Sequence, residues 1–345
     1  MADLLVLRAV RGKARTLNLN GKRLQRVPGA VGSLHLLTAL QLKNNQLRQL
    51  PEEMVALRNL RVLHLGNNLF EKVPEEIQYL QSLQRLHLFG NRITEMPPTV
   101  CDGLENLVSL NLNNNLIEHI PGEMHKMKRL ESLSINHNRL KAFPRELCLL
   151  QNLRELHLAN NQIEALPEQM SYMINLTELR ISRNKLSSLP EGLCKLKKLR
   201  ILDVAGNQIQ VFPSTMHEVP LQELYCEENP LLQKEPLPAV QDEEILSLKE
   251  ITARLILRHL QSRDSILRQQ IQDYPEAKSI LSNRNVCALC GEWFLDMWLD
   301  CVKFVDVTKK MKTSSNVKFL PVRILLCSYK CFNQRNGDIF GVAVA

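Results

Sequence analysis

Aromatic residues are scarce in this sequence: Phe, Trp and Tyr make up 5% of its 345 residues. No run of about 20 apolar residues occurs, which argues against a membrane-spanning helix. The apolar run at residues 4–7 is shorter than the core of a secretory signal. The formal charge is +8, but Lys and Arg are scattered and no basic stripe alternates with stacking aromatics. We therefore expect no membrane insertion and no nucleic-acid binding.

Recognisable catalytic motifs are also missing. The sequence has no Gly-rich phosphate loop, no Ser–His–Asp set and no paired carboxylates in a pocket-forming pattern. Its nine cysteines are an odd number, and four of them occur singly, namely Cys101, Cys148, Cys194 and Cys226. Such usage is typical of a reducing compartment, where thiols stay free or bind metals. The sequence predicts a cytoplasmic protein that is not an enzyme.

What the sequence does contain is an internal repeat. Asparagines recur every 22–24 residues, and prolines follow in the same step. The asparagines are Asn45, Asn68, Asn91, Asn115, Asn138, Asn161, Asn184, Asn207 and Asn229. The sequence around them follows the pattern L-x-x-L-x-L-x-x-N-x-L-x-x-L-P, as in Leu60–Pro74 and Leu153–Pro167. This pattern resembles the leucine-rich-repeat signature.

The spacing indicates how each repeat folds. In L-x-L the two leucines point to one side of a short strand, and the middle residue points to the other side. The asparagine amide can satisfy backbone groups that a buried turn leaves unpaired. The segments after proline are expected to form short helical or 3₁₀ turns on the convex side. The stacked repeats therefore predict an α/β solenoid with a curved parallel sheet and a concave binding face.

Four segments are expected along the chain. Residues 1–13 form a helical cap, residues 14–234 form the solenoid, residues 235–284 form a helical linker, and residues 285–345 form a small cysteine-rich, zinc-finger-like module. From Asp242 onward, apolar residues recur with a helical period. This helix is expected to cover the exposed core of the last repeat, because the array needs capped ends.

Two columns of side chains face away from the leucines and are expected to contact a protein partner. One cluster combines two histidines with an aromatic ring and consists of His64, His87 and Phe89. A second group predicts a positive patch for an acidic partner and consists of His137, His157, Arg180 and Arg183. The remaining predicted contact residues are Asn111, Asp203 and Tyr225. Two neighbouring histidines can share a metal, but nothing else in these columns completes a metal site.

The linker helix has a second pattern. Ser247 and Leu248, followed at four-residue steps by Thr252 and Ile256, resemble the elongin-binding box of substrate receptors for cullin–RING ubiquitin ligases, with Thr252 where that box usually has Cys. Downstream, Tyr274–Leu281 distantly resembles the cullin-selecting box. A helix that places apolar residues in a groove is a common docking mode. The resemblance implies elongin B, elongin C and a cullin as partners. The alternative is a helix that serves only as a cap.

Cysteines concentrate in the last segment. Cys287-x2-Cys290 has the spacing of a zinc knuckle, and Cys327-x3-Cys331 resembles the second half of treble-clef zinc fingers. A module of about 60 residues has little core of its own. We therefore predict one structural Zn²⁺ ion bound by these four thiolates, with Cys301 in the core. The alternative is a set of reduced cysteines without metal.

The whole layout is similar to an intracellular leucine-rich-repeat family with a C-terminal cysteine module. The matching stretches are Thr16–Lys22, Arg200–Asn207 and Cys327–Phe332. We predict a monomeric, non-catalytic protein–protein interaction protein, and the resemblance of its box-like segments implies a substrate receptor of an elongin–cullin–RING ubiquitin ligase. The Leu-Pro step of the repeats also resembles Ras-pathway scaffolds, so the alternative is an intracellular signalling scaffold with no ligase link.

Overall fold

The computed structural model describes residues 2–233, 246–261, 265–296, 299–308, 310–313, 317–333 and 339–342. The chain divides into two compact units. The first comprises Met1–Ile209, Glu218–Asn229 and Lys310–Asn316, and the second comprises Gln210–His217, Pro230–Lys309 and Val317–Ala345. The boundary expected between residues 234 and 235 lies outside the described residues, as does Asp242, the expected start of the helical period.

Parallel strands of three residues, one for each repeat, form the sheet of the first unit. They are β1 (Thr16–Asn18), β2 (Ala39–Gln41), β3 (Val62–His64), β4 (Arg85–His87), β5 (Ser109–Asn111), β6 (Ser132–Ser134), β7 (Glu155–His157), β8 (Glu178–Arg180), β9 (Ile201–Asp203) and β10 (Glu223–Tyr225). The central residue of each is a leucine that is at most 7% exposed. The strands pair in direct register, so these leucines form one continuous core. The predicted leucine-rich-repeat solenoid is confirmed.

Short helical turns form the convex side of the repeats. The chain begins with α1 (Ala2–Arg11), whose Val6 is buried and which packs against the first turn. Most turns are 3₁₀ helices, and one is the α-helix α2 (Pro98–Gly103). The 3₁₀ turns are Gly29–Ser33, Glu52–Ala56, Glu75–Tyr79, Gly122–Lys126, Arg145–Leu149, Glu168–Tyr172, Glu191–Lys195 and Met216–Glu218. Inward residues such as Met54 and Leu57 are fully buried and close the core.

The recurring asparagines form a buried ladder between repeats. In Asn91, Nδ2 donates to the carbonyl oxygens of Leu65 at 3.1 Å and Leu88 at 2.8 Å, while Oδ1 accepts the backbone N–H of Phe70 at 3.2 Å. One amide thus satisfies backbone groups in its own repeat and in the preceding one. The same pattern recurs at Asn138, which confirms the role expected from the sequence.

The second unit combines helices with two small antiparallel sheets. Its helices are α3 (Leu248–Gln261), α4 (Leu267–Gln270), which continues into a 3₁₀ turn (Ile271–Asp273), α5 (Pro275–Ser282) and α6 (Tyr329–Asn333). The C-terminal strands are β11 (Asn285–Val286), β12 (Trp293–Phe294), β13 (Leu299–Asp306), β14 (Lys312–Thr313), β15 (Phe319–Leu326) and β16 (Ile339–Val342). Strand β11 pairs with β12, and β13 lies between β15 and β16. Among the described helices, none has the length and apolarity to cross a membrane.

The end of the solenoid sheet is formed by an unexpected segment. Strand β14, which belongs to the first unit, pairs in parallel with β10, and Lys312 N donates to Gln222 O at 2.9 Å. Helix α3, which we expected to cover the last repeat, belongs to the second unit, where its buried apolar residues Ala253 and Leu257 pack with Leu281 and Leu295. A sheet edge exposes unpaired backbone groups, and a strand in register, here β14, satisfies them.

Candidate functional site

The strand register places the outward side chains of the concave face in one row. Direct neighbours in successive strands are His64 and His87, His87 and Asn111, Asn111 and Ser134, Ser134 and His157, His157 and Arg180, Arg180 and Asp203, and Asp203 and Tyr225. All of these residues are half-buried. The row is continuous because each side chain occupies the same position of its own repeat.

Aromatic and imidazole rings cluster on strands β3 and β4. The rings of His64 and His87 stack with their centroids 4.1 Å apart and their planes inclined by 10°. Two residues further along each of these repeats, the Phe89 ring covers Gly66, where an added Cβ would lie 2.6 Å from the ring. The ammonium of Lys43 lies 5.2 Å from the Phe89 centroid, within cation–π range. A compact patch of ring faces therefore lies beside a cation.

Both stacked histidines favour the neutral form. Burial and the neighbouring Lys43 lower the pKa of His64. Burial, followed by His64 and Arg85, lowers the pKa of His87 to about 4. A neutral imidazole stack offers a partly apolar surface at pH 7, which suits contact with aromatic or aliphatic side chains of a partner.

Two members of the predicted positive patch, His157 and Arg180, contact the same carboxylate, that of Glu178. Glu178 Oε1 lies 3.1 Å from His157 Nε2 and also accepts a hydrogen bond from Arg180 Nε. On the next strand, Asp203 Oδ2 accepts the hydroxyl of Ser182 at 2.8 Å. Carboxylates therefore lie beside the Arg180 guanidinium, so this part of the surface can pair with both signs of charge.

Two of the predicted basic residues occupy the turn that follows the strand. His137 has φ 55° and Arg183 has φ 53°, a left-handed conformation that Asn or Gly adopts at the equivalent turns of most other repeats. Arg183 lies on the rim of a shallow depression of about 200 Å³. Its remaining lining residues are Arg180, Ser182, Asp203, Ala205, Tyr225, Glu227 and Glu228.

The sequence analysis missed Glu178 and Glu223. Both are the first residues of their strands, and each binds an outward side chain two residues later: Glu178 binds Arg180, and Glu223 accepts the Tyr225 hydroxyl at 2.8 Å. The two-residue alternation of a strand places first and third residues on the same face. The signal that selected Arg180 and Tyr225 therefore also points to these glutamates.

In the second unit, four cysteines form a cluster that can hold a metal ion. The Sγ atoms of Cys287, Cys290, Cys327 and Cys331 all lie within 4.8 Å of one another. The separations of Cys290 from Cys327 and of Cys327 from Cys331 are both 3.6 Å. Tetrahedral zinc with bonds of about 2.3 Å requires thiolates about 3.8 Å apart. The donor set and its spacing fit that coordination.

Local backbone structure positions the two cysteine pairs. Gly291, with φ 76°, closes the turn between β11 and β12, and its N–H donates to Cys287 O at 3.0 Å. The second pair begins helix α6, where the Ser328 hydroxyl accepts the N–H of Cys331 at 3.3 Å. Cys301 is fully buried in the surrounding core, as predicted.

The protonation of the four cysteine thiols depends on whether a cation lies between them. Burial raises the pKa of Cys287, but the N–H groups of Cys290, Cys327 and Leu289 outweigh burial and lower it to about 7. Burial raises the pKa values of Cys327 and Cys331, and the neighbouring Cys290 thiol adds to both increases. Four thiolates at this distance repel one another, so a cation between them is needed to stabilise full deprotonation.

The residues of the predicted elongin box lie on helix α3. Ser247 precedes the helix, and its hydroxyl accepts the N–H of Glu250 at 3.1 Å. Leu248 is 80% exposed, and Thr252, also exposed, donates its hydroxyl to Leu248 O at 2.8 Å. Ile256 instead packs partly against the core of the second unit. The structure therefore exposes two of the three spaced box residues.

The repeats and the concave row define the class: this is a leucine-rich-repeat protein. The chain matches the families described as Leucine rich repeat over residues 13–70, Leucine-rich repeat region over residues 59–184, and Leucine Rich repeats (2 copies) over residues 174–214.

Relatives narrow this class to one family. The chain is 71% identical over 344 residues to leucine-rich repeat-containing protein 69 of Xenopus laevis, with 100% of both chains covered. It is 46% identical over 123 residues to the Homo sapiens protein of that name, covering 36% of this chain and 35% of the human one. The chain belongs to the leucine-rich repeat-containing protein 69 family.

Solved structures share the repeat architecture. A plant peptide hormone receptor, RGFR1 in complex with RGF2, is similar with a TM-score of 0.56 and 28% identity, over 63% of this chain and 36% of the receptor.

Proposed function

We propose that this protein is a non-catalytic, monomeric interaction protein that binds a protein partner on its concave face. The observation behind the proposal is the unbroken row of outward side chains from His64 to Tyr225. Solenoids present such rows to partners that extend across several repeats. The similar plant receptor is a peptide hormone receptor in complex with RGF2, which supports an extended peptide segment as the occupant.

The two ends of the row have different roles in this proposal. The rings of His64, His87 and Phe89 supply an apolar anchor, since a few well-packed residues carry most of the binding energy at an interface. The network of Glu178 and Arg180 supplies polar specificity, because a partner that fails to match these charges leaves them unpaired.

Quantitative co-purification tests the concave face. The full chain and the variant His87→Ser/Phe89→Ser are compared with the convex-face control Arg58→Ser/Gln81→Ser, whose two residues are exposed. We expect a partner that is recovered with the control but reduced about tenfold with the concave variant, equivalent to about 1.4 kcal/mol. Equal recovery of every partner by the two variants contradicts the proposal.

We further propose that α3 docks the protein to the elongin B/C component of a cullin–RING ubiquitin ligase, with the cullin contacted through Tyr274–Leu281. The exposure of Leu248 at 80%, together with Ile251 at 51% and Leu255 at 57%, supports this role, because the helix presents apolar side chains that the described residues leave uncovered. An apolar helical face of this kind is suited to a groove of a partner protein.

Direct binding of purified elongin B/C distinguishes this role from a signalling scaffold. Leu248→Arg is compared with Ile266→Arg, a residue that is 73% exposed but lies outside the box. Binding that Leu248→Arg abolishes and Ile266→Arg leaves unchanged supports the receptor role. Absence of elongin binding to the unmodified chain removes it and favours the scaffold of the Ras-pathway type.

We propose that the four-cysteine cluster binds one structural zinc ion. Four protein thiolates leave no open position for a substrate, so the metal would supply folding energy and no chemistry. No disulfide joins any of the nine cysteines, all of which lie in the described part of the chain, and this supports a reducing, cytoplasmic location. Metal analysis of the full chain, purified under reducing conditions, is expected to find about one zinc per molecule, and a metal-free but folded protein contradicts the proposal.

A further inference from the structure

The convex side of four consecutive repeats has a patterned surface. In each of these repeats, three residues lie at the surface: the last residue of the 3₁₀ turn and the residues two and three positions after it. We call the three residues of one repeat a rung, and the twelve residues of the four repeats together the convex patch. Its first rung is Lys126, Lys128 and Arg129, its second is Leu149, Gln151 and Asn152, its third is Tyr172, Ile174 and Asn175, and its fourth is Lys195, Lys197 and Lys198. Two fully basic rungs therefore flank two uncharged ones.

Hydrogen bonds show that these rungs are direct neighbours. Asn152 Nδ2 donates to Lys128 O at 2.8 Å, and Asn175 Nδ2 donates to Gln151 O at 2.8 Å. The ammonium of Lys198 donates to Asn175 Oδ1 at 2.6 Å. The convex patch is therefore one continuous surface of the first unit.

The middle of the convex patch is apolar. Leu149 is 55% exposed, and Tyr172 and Ile174 are each 59% exposed. They lie on adjacent rungs, whereas exposed apolar residues of a soluble surface are usually scattered. Their contiguity is a feature of an interaction site.

The ends of the convex patch are positively charged. Lys126 pairs with Asp102 at 2.7 Å, whereas Lys128, Arg129, Lys195 and Lys197 form no ion pair with any described residue. The carboxylates of the four turns, Glu123, Glu146, Glu168 and Glu191, lie at the opposite end of each turn.

We propose that the convex patch docks an acidic amphipathic segment of a partner protein. Its basic rungs are three repeats apart, which is about 15 Å at a strand spacing of about 4.8 Å. This distance matches two acidic clusters separated by about ten residues of helix. Aliphatic or aromatic side chains between the clusters then contact Leu149, Tyr172 and Ile174. This site is separate from the concave face.

A narrow segment fits the convex patch better than an anionic membrane. The turns are five residues long, so at a rise of about 2 Å per residue their carboxylates lie about 6–8 Å from the basic ends. A flat bilayer that covers the lysines would also meet Glu146 and the other carboxylates, which anionic headgroups repel. A helix of about 10 Å diameter covers the basic edge alone.

A synthetic helical peptide tests the proposal on the full chain. The probe is a fluorescein-labelled peptide with two Glu clusters about ten residues apart and Leu and Phe between them, and its negative control replaces each Glu by Gln. We expect saturable binding of the Glu peptide only. Raising salt from about 50 to 200 mM should weaken that binding, because exposed charges are screened.

Matched variants assign the binding to the convex patch. Lys195→Glu/Lys197→Glu/Lys198→Glu and Tyr172→Ser/Ile174→Ser should each weaken the Glu peptide about tenfold. Arg92→Glu/Arg139→Glu/Lys185→Glu changes the charge equally at exposed positions elsewhere and should leave affinity within about twofold. Unsaturable binding, or equal losses in the patch and control variants, overturns the proposal. Binding to phosphatidylserine vesicles without peptide binding also overturns it, in favour of a membrane.

Discussion

The imidazole rings of His64 and His87 stack face to face, 4.1 Å apart, on the adjacent strands β3 and β4. Their direct register is the reason for this contact, because equivalent positions of neighbouring repeats lie side by side. Protonation of either ring would place a cation beside the other ring and near Lys43 or Arg85. The arrangement therefore makes the concave face sensitive to acid.

The folded state is expected to lose stability as pH falls from about 6.5 towards about 4. His87 has a folded pKa of about 4, whereas its ordinary value is 6.5. In this window the unfolded chain binds more protons, so acid favours unfolding, and the contribution is fully present above about pH 6.5. The full shift of the His87 pKa corresponds to about 3 kcal/mol of unfolding free energy. Because the His87 side chain is only half-buried and water screens its charge, we expect about 1 kcal/mol. Urea unfolding at neutral pH and at about pH 4.5 measures the loss.

Variants separate this effect from the general acid sensitivity of carboxylates. His87→Gln removes the titrating ring and should reduce the acid-induced loss, whereas His35→Gln, at an exposed turn position, should not. An identical pH dependence for the parent chain and His87→Gln would rule out the stacked pair as the cause.

Replacement of a ladder asparagine should destabilise the solenoid. Asn138 is 9% exposed, donates to Leu112 O and Ile135 O, and accepts the N–H of Ile117 at 3.0 Å. Asn138→Ala leaves these buried groups unpaired at about 1–3 kcal/mol each, and we expect a loss of about 3 kcal/mol. Chemical unfolding followed by circular dichroism measures it. The control is Asn152→Ala, an exposed residue whose amide donates to Lys128 O, with an expected loss below about 1 kcal/mol.

The buried carboxylate of Glu250 should hold helix α3 in place. Glu250 is 1% exposed, pairs with Arg254 and accepts the N–H groups of Leu295 at 3.1 Å and Asp296 at 2.8 Å. Burial raises its pKa, but Arg254 and the two N–H groups outweigh burial and lower it. Glu250→Gln should cost about 3 kcal/mol, because the Arg254 guanidinium then loses the negative charge that Glu250 provides.

Hydrogen exchange across residues 248–261 measures the effect of Glu250→Gln on the helix. The exposed Glu276→Gln provides the control. The depressed pKa adds a second readout: the contribution of Glu250 is present above its ordinary value of 4.5 and is lost as pH falls through the lower folded value. Unchanged exchange in Glu250→Gln would show that the helix is held by apolar packing alone.

Loss of one cysteine ligand should unfold the second unit and leave the repeats folded. Structural zinc contributes about 10 kcal/mol or more to the stability of small domains. Cys290→Ser is therefore expected to abolish zinc binding, and the second unit should no longer show a cooperative unfolding transition. Both tryptophans lie in residues 285–345, so their fluorescence reports on it. Cys148→Ser, in a repeat, should keep the metal. Full zinc content in Cys290→Ser would show that the cluster is not the site.

Sequence reasoning identified most of the fold and part of the candidate sites. The spacing from Asn45 to Asn229 sufficed to place each leucine inside and each middle residue outside, because every repeat makes the same contacts with its neighbours. The C-x2-C and C-x3-C spacings likewise identified the four cysteines that lie together. In both cases the spacing of residues along the chain corresponds to a known local geometry, that of a leucine-rich repeat or that of a zinc-binding cysteine pair.

Contacts between segments without a shared period were not visible in the sequence. Nothing in the sequence around Lys312 shows that it pairs beside Glu223 at the end of the sheet. Strand alternation places Glu178 on the outward face, but it does not show that one carboxylate oxygen contacts both His157 and Arg180. Periodicity fixes which side of the chain a residue faces. Which charges meet, which edge is covered and which helix face stays exposed depend on packing between distant segments, and that packing is settled by the burial and pairing of the whole chain.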